Sequence, residues 1–335
     1  TDEYYEYLKA VKETDLLGDG SGDEIPYGAH NIAGLRDVLK GSFGIGNKGH
    51  RNQFVDLDPD TDMPRFFPIS DGYKQMLEYI HKLYSEGLIQ ENIFSIDTNQ
   101  SFAMGAEGLY GSVVIASPHA IYGEAGDNFV GMHALEGPEG HRQVTRLGSP
   151  LNSRGGFVVT SENKHVPETL RWMDHFYSDE GARLFFMGVE GVTYEVDDNG
   201  EIDYTDEFYN NPDGLTFDQT LSQYFTWLGG GYPGIIKEEF FKGNSAHPAS
   251  VEAADRVRPY VEEVWPGFLF TPEENQRLAP IAADIEKYVH EMFDKFVTGD
   301  ESLDDWDDYV KTIENMRLDE YMEIYNAAYE RFDDN

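Results

Sequence analysis

A nearly unbroken helical pattern occupies the C-terminal part of the chain, and it restricts the fold more than any other feature. Apolar residues recur every three or four positions from about residue 249 onward, which predicts amphipathic helices. These predicted helices cover 249–264, 272–298, 302–316 and 317–332. Four aromatic residues on their apolar faces are predicted to lie in the core: Trp306, Tyr309, Tyr321 and Tyr325. This part of the chain is therefore expected to pack helix against helix.

Predicted strands and helices alternate in the part of the chain before it. Ser70 can cap a helix over 70–90, and a helix or helix pair is predicted from Pro167. Four aromatic residues in the helical segment that begins at Pro167 are predicted to be core residues: Trp172, Phe176, Phe185 and Phe186. Runs of small and β-branched residues predict strands at 109–116, 130–135 and 155–161. The combined pattern predicts an α/β protein with a helix-rich C-terminal region.

Charge and composition exclude several classes of partner. The 335 residues include 63 acidic and 25 basic side chains, and the net charge is −38. This charge repels phosphate backbones and anionic membrane surfaces, so we expect no nucleic-acid partner. Cysteine is absent, which excludes disulfides, thiol nucleophiles and thiolate metal sites. No run of about 18 apolar residues occurs that could span a membrane.

An acidic, glycine-containing loop lies between residues 15 and 24. Its oxygen donors are Asp15, Asp19, Ser21, Asp23 and Glu24. Hard cations such as calcium bind six to eight oxygen atoms on a flexible loop, and the glycines between these residues allow the backbone to curl. The loop is not a standard EF-hand, because no Glu stands at its twelfth position. A solvated acidic turn is the alternative interpretation.

Several segments in a fixed order resemble a known family. The segments cover residues 1–15, 23–26, 102–111, 167–181, 188–194, 270–275, 305–310 and 324–332. Together they resemble the extracellular solute-binding proteins of bacterial ABC importers, in the branch that includes oligosaccharide- and alginate-binding lipoproteins. The resemblance implies a two-lobed, type II periplasmic-binding-protein fold that closes on a sugar by hinge bending.

The resemblance also implies an organisation for the chain and its surroundings. Residues 1–145 and 235–335 would form the C-terminal lobe, and residues 150–230 would return to the N-terminal lobe. Thr1 begins inside an amphipathic pattern, so we expect the true N-terminus to be missing. The resemblance implies that the opening strands of the N-terminal lobe and a lipid-anchored cysteine precede Thr1. We further expect an extracellular, membrane-anchored monomer that hands its ligand to an ABC transporter permease. Relatives bind a structural calcium at the equivalent of the acidic loop, although Leu17 stands where they have Asn or Asp.

Sugars have flat C–H faces and a rim of hydroxyls, so their sites use aromatic platforms and planar polar groups. The first candidates are Trp227, Tyr224 and Tyr232, in the glycine-rich segment 224–234. A role for them in core or hinge packing stays open.

Further candidates lie in three other segments. Tyr110 and Ser112 begin the predicted strand 109–116, where the resemblance implies an aromatic residue against the sugar, and an ordinary strand is the alternative. Arg154 can bind a hydroxyl pair or a uronate carboxylate, or it can form a surface ion pair. Glu190 and Tyr194 lie in a turn between glycines, where structural packing is the alternative.

Two other function classes compete with ligand binding. A glycoside hydrolase needs two carboxylates about 5 to 10 Å apart, and 63 acidic residues will satisfy this by chance. The chain has neither an H-E-x-x-H nor a G-x-S-x-G motif, and its ten histidines include no i, i+4 pair. An acidic extracellular interaction module is the third class. The sequence favours a binding protein that performs no chemistry.

Overall fold

A computed structural model of the chain describes residues 1–15, 17–18, 20–148, 156–225, 232, 234–237, 239–242 and 247–333. Helices dominate these residues. The α-helices are α1 (Asp2–Glu13), α2 (Ala33–Leu39), α3 (Asp71–Ser85), α4 (Thr98–Ala106), α5 (Pro118–Tyr122), α6 (Val166–His175), α7 (Asp179–Phe186), α8 (Asp206–Tyr209), α9 (Phe217–Tyr224), α10 (Pro248–Val257), α11 (Pro272–Thr298), α12 (Trp306–Asn315) and α13 (Leu318–Asp333). Short 3-10 helices cover Lys40–Phe43, Phe67–Ile69, Gly123–Asn128, Arg258–Tyr260 and Leu303–Asp305. None of the helices in these described stretches combines the length and apolar character needed to span a bilayer.

The strands of the described residues form two small antiparallel hairpins. Strand β1 (Val55–Asp58) pairs with β2 (Met63–Phe66), with Asp56 opposite Arg65. Strand β3 (Tyr194–Val196) pairs with β4 (Ile202–Tyr204).

The C-terminal helices confirm the helical pattern in the sequence. Thr271 caps α11 in a capping box with Glu274, and the helix ends at Gly299, whose φ of +83° suits glycine. The segment predicted as 249–264 is shorter, because α10 ends at Val257. Pro259 explains this, because it has no N–H to donate to the Asp255 carbonyl and continue the α-helix, and Arg258–Tyr260 forms a 3-10 helix instead.

The larger core forms around α3, α11, α12 and α13. It collects apolar side chains from residues 4–93 and 265–328. All four aromatic residues predicted for it in the C-terminal helices are buried, with 8% or less of their surface exposed. The prediction that the C-terminal helices form a core is therefore confirmed. Ser70 caps α3 as predicted, since its side chain accepts a hydrogen bond from the Tyr73 N–H.

A second, separate core lies in the middle of the sequence. Its buried members come from α5, α7, β3, β4, α8 and α9, together with Met187 and Phe240. Phe186 is a fully buried member, as predicted, but Trp172 is 62% exposed and its core prediction is wrong. Periodicity shows which residues share a helix face, and it does not show whether another element covers that face.

Three predicted strands are not formed. Among the described residues, the segment 109–116 makes only a single parallel bridge, between Tyr110 and Ile25, and no strand occurs at 130–135 or 156–161. A strand needs a neighbour to satisfy its N–H and C=O groups. Residues 109–112 exchange backbone hydrogen bonds with residues 25–28, as where the Gly28 N–H donates to the Ser112 carbonyl, but neither segment extends into a strand.

Candidate functional site

Tyr110 and Ser112 are engaged inside the protein. Tyr110 is 3% exposed, and its hydroxyl lies 3.1 Å from the Ser101 Oγ. The backbone of Gly28 covers its ring so closely that a Cβ there would lie 2.1 Å from a ring carbon. The Ser112 Oγ lies 2.9 Å from the Tyr4 hydroxyl. The Tyr110 ring is therefore not open for stacking on a sugar in this conformation.

Tyr224 and Tyr232 border the second core and differ in exposure. Tyr224 is 43% exposed, its ring lies 5.3 Å from that of Phe208, and its hydroxyl donates to Glu207 at 3.2 Å. The nearby Glu207 carboxylate raises the pKa of Tyr224. Tyr232 is half-buried, and its hydroxyl donates to the Phe176 carbonyl. Of the two, only Tyr224 presents an open ring.

Glu190 and Tyr194 lie on opposite sides of the turn that precedes β3. Tyr194 is 4% exposed and pairs with Tyr204, whereas Glu190 is exposed. The Gly191 N–H donates to the Tyr194 carbonyl at 2.8 Å, which fixes the turn. Arg154 and Trp227 lie outside the described residues. The structure thus brings Tyr194 and Tyr232 to the smaller core, with Tyr224 at its edge against Phe208. Tyr110 and Ser112 belong to neither core.

The acidic loop gathers its carboxylates around backbone N–H groups. Asp15 accepts from the Gly18 N–H at 2.6 Å and from the Gly20 N–H at 2.9 Å. Glu24 accepts from the Leu17 N–H at 3.3 Å, and the Ser21 hydroxyl donates to Asp23 at 2.5 Å. Gly18, Gly20 and Gly22 have φ values of +71°, +77° and +65°, a conformation that glycine adopts without strain.

The donor chemistry of this loop fits a hard cation. All of its donors are oxygen atoms, which is what calcium prefers, and Asp15, Ser21, Asp23 and Glu24 could supply them. Asp19 lies outside the described residues. Leu17 is 43% exposed and has no side-chain oxygen, so it removes one donor from the set.

A second group of metal-type side chains was missed by sequence reasoning. His119, Asp127 and His247 each offer one ligand atom, and these three atoms lie within 4.8 Å of one another. Burial lowers the pKa of His247, and the neighbouring His119 lowers it further. The histidines are separated by more than a hundred residues in the sequence. Local spacing therefore carries no signal that could have identified the group.

Comparison with curated proteins finds a substrate-binding protein and a lipoprotein. The fructooligosaccharide ABC transporter substrate-binding protein FusA of Streptococcus pneumoniae serotype 4 (strain ATCC BAA-334 / TIGR4) is 27% identical over 347 residues, which covers 100% of this chain and 62% of FusA. The lipoprotein LipO of Bacillus subtilis (strain 168) is 27% identical over 216 residues, covering 59% of this chain and 40% of LipO. No family model matches the chain. The chain thus spans less than two thirds of the length of these relatives.

Comparison with solved structures identifies the fold. The FusA EF-hand mutant in complex with fructo-nystose superposes with a TM-score of 0.77 at 23% identity, over 100% of this chain and 68% of that one. An HMO-binding, ABC-transporter-associated solute-binding protein from Bifidobacterium longum infantis gives a TM-score of 0.74 at 19% identity, over 99% and 69% of the two chains. The chain has the α/β fold of type II solute-binding proteins, as predicted. The predicted resemblance to carbohydrate-binding proteins of ABC transporters is confirmed.

Proposed function

We propose that this chain belongs to the substrate-binding component of a bacterial ABC importer, which captures an oligosaccharide and releases it unaltered. The observation that carries this proposal is the similarity to FusA along the whole chain, together with the TM-score of 0.77. FusA structures contain kestose or fructo-nystose, so short fructans are the first ligands to test. The predicted closure on the sugar by hinge bending is part of the proposal.

The division of the chain into lobes belongs to the same proposal. Residues 1–145 and 235–335 would form one lobe, and residues 150–230 would belong to the other. The two separate cores support this division, because the larger one collects residues 4–93 and 265–328 and the smaller one is centred on residues 182–240. The departures are Ala120 and Phe240, which belong to the smaller core although the proposed division assigns them to the first lobe.

The sugar site is proposed to use Tyr224 and Trp227 as platforms. The exposed ring of Tyr224 at the end of α9 supports this, because an aromatic face in a ligand site must be open to stack. Arg154 and Glu190 would supply polar contacts to hydroxyl groups. The other predicted site residues are less accessible, and they would contact the sugar only in a different conformation or would support the site through packing. These residues are Tyr110, Ser112, Tyr194 and Tyr232.

The test is isothermal titration of the purified protein with kestose and nystose. Replacing Trp227 or Tyr224 with Ala should weaken binding by about tenfold, or about 1.4 kcal/mol. Phe332→Ala is the control, since Phe332 is an exposed aromatic residue of α13 whose ring contacts Phe268 of the larger core. An affinity within about twofold of the wild type in both site variants, less than half a kcal/mol, would remove the platforms from the proposal.

Product analysis separates binding from catalysis. A glycoside hydrolase would release reducing ends from the bound oligosaccharide, whereas a binding protein raises its own melting temperature and leaves the sugar intact. An acidic interaction module would show neither turnover nor stabilisation by sugars. Stabilisation without product is the result that the proposal requires.

A structural calcium ion in the acidic loop is proposed as part of this protein. The oxygen-only donor set supports it, and so does the existence of an EF-hand mutant of FusA. Calcium would hold the loop 15–24 against the end of α1. Adding EDTA should lower the melting temperature, because an ion at 100 times its Kd stabilises the folded state by about 2.7 kcal/mol. An unchanged melting temperature would contradict a stabilising ion.

The cellular location, the partner and the oligomeric state of the protein are also proposed. LipO is a lipoprotein, and FusA belongs to an ABC transporter, which supports an extracellular protein held at the membrane by an N-terminal lipid. The partner would be the permease of that transporter, and the protein would act as a monomer. Size-exclusion chromatography with light scattering tests the monomer, and cross-linking in cells tests contact with a permease.

A further inference from the structure

Two histidines and one aspartate lie together although they come from segments that are far apart in the sequence. His119 lies in α5, Asp127 in the 3-10 helix that follows it, and His247 at the N-terminus of α10. The Nδ1 of His119 is 2.5 Å from the Asp127 Oδ1. The rings of His119 and His247 are stacked, with their centroids 4.0 Å apart and an angle of 17° between their planes.

The local conformation of residues 117–127 places Asp127 next to His119. Ser117 caps α5 by accepting from the Ala120 N–H, and Pro118 occupies the first turn. Gly126 lies directly on the backbone of Pro118, where a Cβ would be 2.4 Å from the Pro118 carbonyl carbon. Only glycine permits this approach, and it places the next residue, Asp127, beside His119.

Independent contacts hold His247 in position. Gly131 packs against Ala253 of α10 so closely that an added Cβ would lie 2.3 Å from the Ala253 Cβ. Arg256 of the same helix donates to the Gly131 carbonyl at 2.6 Å. The Nδ1 of His247 accepts from the Ala249 N–H at 3.3 Å, so its ring is fixed at the N-cap and its Nε2 is left for another partner.

Two imidazole nitrogens and one carboxylate oxygen form a donor set that suits zinc and related ions. This set differs from the oxygen-only set of the acidic loop, which suits calcium. Tetrahedral zinc with bonds of about 2.1 Å needs ligand atoms about 3.4 Å apart. The three atoms lie within 4.8 Å of one another, and to bind one ion the stacked imidazole rings must turn so that the in-plane lone pair of each points at it.

We propose that His119, Asp127 and His247 bind one divalent transition-metal ion of the zinc class, with water completing the coordination. The ion takes the place of the proton between His119 and Asp127. It ties the α5 segment, which contacts α4 and α9, to the first turn of α10. The ion therefore stabilises the packing of α10 against residues 119–131. This inference does not depend on the proposed sugar-binding function.

The test is a metal titration of the purified protein. The protein is stripped with a chelator, supplied with saturating calcium so that the acidic loop is occupied, and titrated with Zn²⁺ by calorimetry. We expect one zinc ion per chain and a higher melting temperature. Co²⁺ should show the visible absorption of a tetrahedral site with nitrogen and oxygen ligands.

His247→Asn is the decisive variant, because asparagine is a good N-cap residue and the imidazole is lost. It should weaken Zn²⁺ binding by at least about tenfold, since even outer partners of a metal site contribute that much. His165→Asn is the matched control, because His165 is an exposed histidine at the N-cap of α6, also close before a proline. This control should bind zinc as the wild type does.

The proposal is overturned if no zinc binds, or if His247→Asn binds zinc as tightly as the wild type. Circular dichroism checks that the variants fold. If His247→Asn loses helix content, Asp127→Asn decides the question, because it removes one ligand from a 3-10 helix and leaves α10 intact. Equal zinc affinity in the wild type and Asp127→Asn then refutes the site.

Discussion

Arg65→Met is expected to leave a buried carboxylate without its partner. The Asp56 side chain is fully buried, and that of Arg65 is 23% exposed. Arg65 donates to Asp56 through Nε at 2.9 Å and Nη2 at 2.8 Å, which is a bidentate pair across the β1–β2 hairpin. The Gly46 N–H adds a third bond to Asp56 at 2.8 Å. Methionine keeps most of the stem of the arginine and removes both of its bonds to Asp56.

The size of the effect follows from the burial of Asp56. Removing one partner of a buried pair costs about 3–5 kcal/mol, because the remaining charge is uncompensated. Replacing Asp56 with Asn in the Arg65→Met background removes that charge and keeps an acceptor for Gly46. The double variant should therefore recover part of the loss. Arg258→Met removes an arginine from an exposed pair with Asp255 and should cost less than about 0.5 kcal/mol.

The pH dependence gives a second readout of the same pair. Burial raises the pKa of Asp56 above its usual value, and Arg65 opposes this shift. Without Arg65 the pKa of Asp56 rises further. The pKa of Asp56 is then higher in the folded protein than in the unfolded chain. The loss of unfolding free energy caused by its ionisation is therefore absent below the unfolded-state pKa of about 3.9, and it grows as the pH rises through the folded-state pKa. The destabilisation by Arg65→Met should therefore shrink as the pH is lowered from neutral towards that value.

The assay is urea unfolding in saturating calcium, followed by tryptophan fluorescence. Trp265 and Trp306 are buried in the same core as the β1–β2 hairpin, so their emission reports its unfolding. The free energy of unfolding is compared between each variant and the wild type at each pH, which removes the general effect of the many acidic residues. A loss below about 1 kcal/mol at neutral pH, or a loss that does not change with pH, would refute the reasoning.

Three further predictions use the same unfolding and metal-binding measurements. Gly41→Ala should destabilise the protein by about 1–3 kcal/mol, because the new Cβ would lie 1.9 Å from the Gln143 carbonyl oxygen. In the control, Gly140→Ala, the new Cβ has nothing within 4 Å, so the variant should lose only about 1 kcal/mol from the φ of +82°. Equal losses in the two variants would contradict this reasoning. Ser70→Ala should cost about 1 kcal/mol by removing the cap of α3, and Ser70→Asp should restore it. Leu17→Asp should tighten calcium binding by supplying the missing oxygen, and an unchanged calcium affinity would mean that residue 17 does not face the ion.

The local features of the fold could be predicted from the sequence. The cap at Ser70, the apolar faces of the C-terminal helices and the glycine turns of the acidic loop all depend on residues within a few positions of one another. The order of the segments also identified the class of fold. These predictions agree with the structure because hydrogen bonds within a helix or a turn join near neighbours in the chain.

The tertiary structure decided what covers each surface and which distant groups meet. Trp172 shares a helix face with apolar residues, yet no described element buries it, and the run 109–116 lacks a partner strand. The approach of His247 to His119 depends on contacts between α10 and residues near 131. Composition and spacing along the chain set the helices and the loop donors, whereas burial and metal-type clusters arise from packing between residues that are distant in sequence.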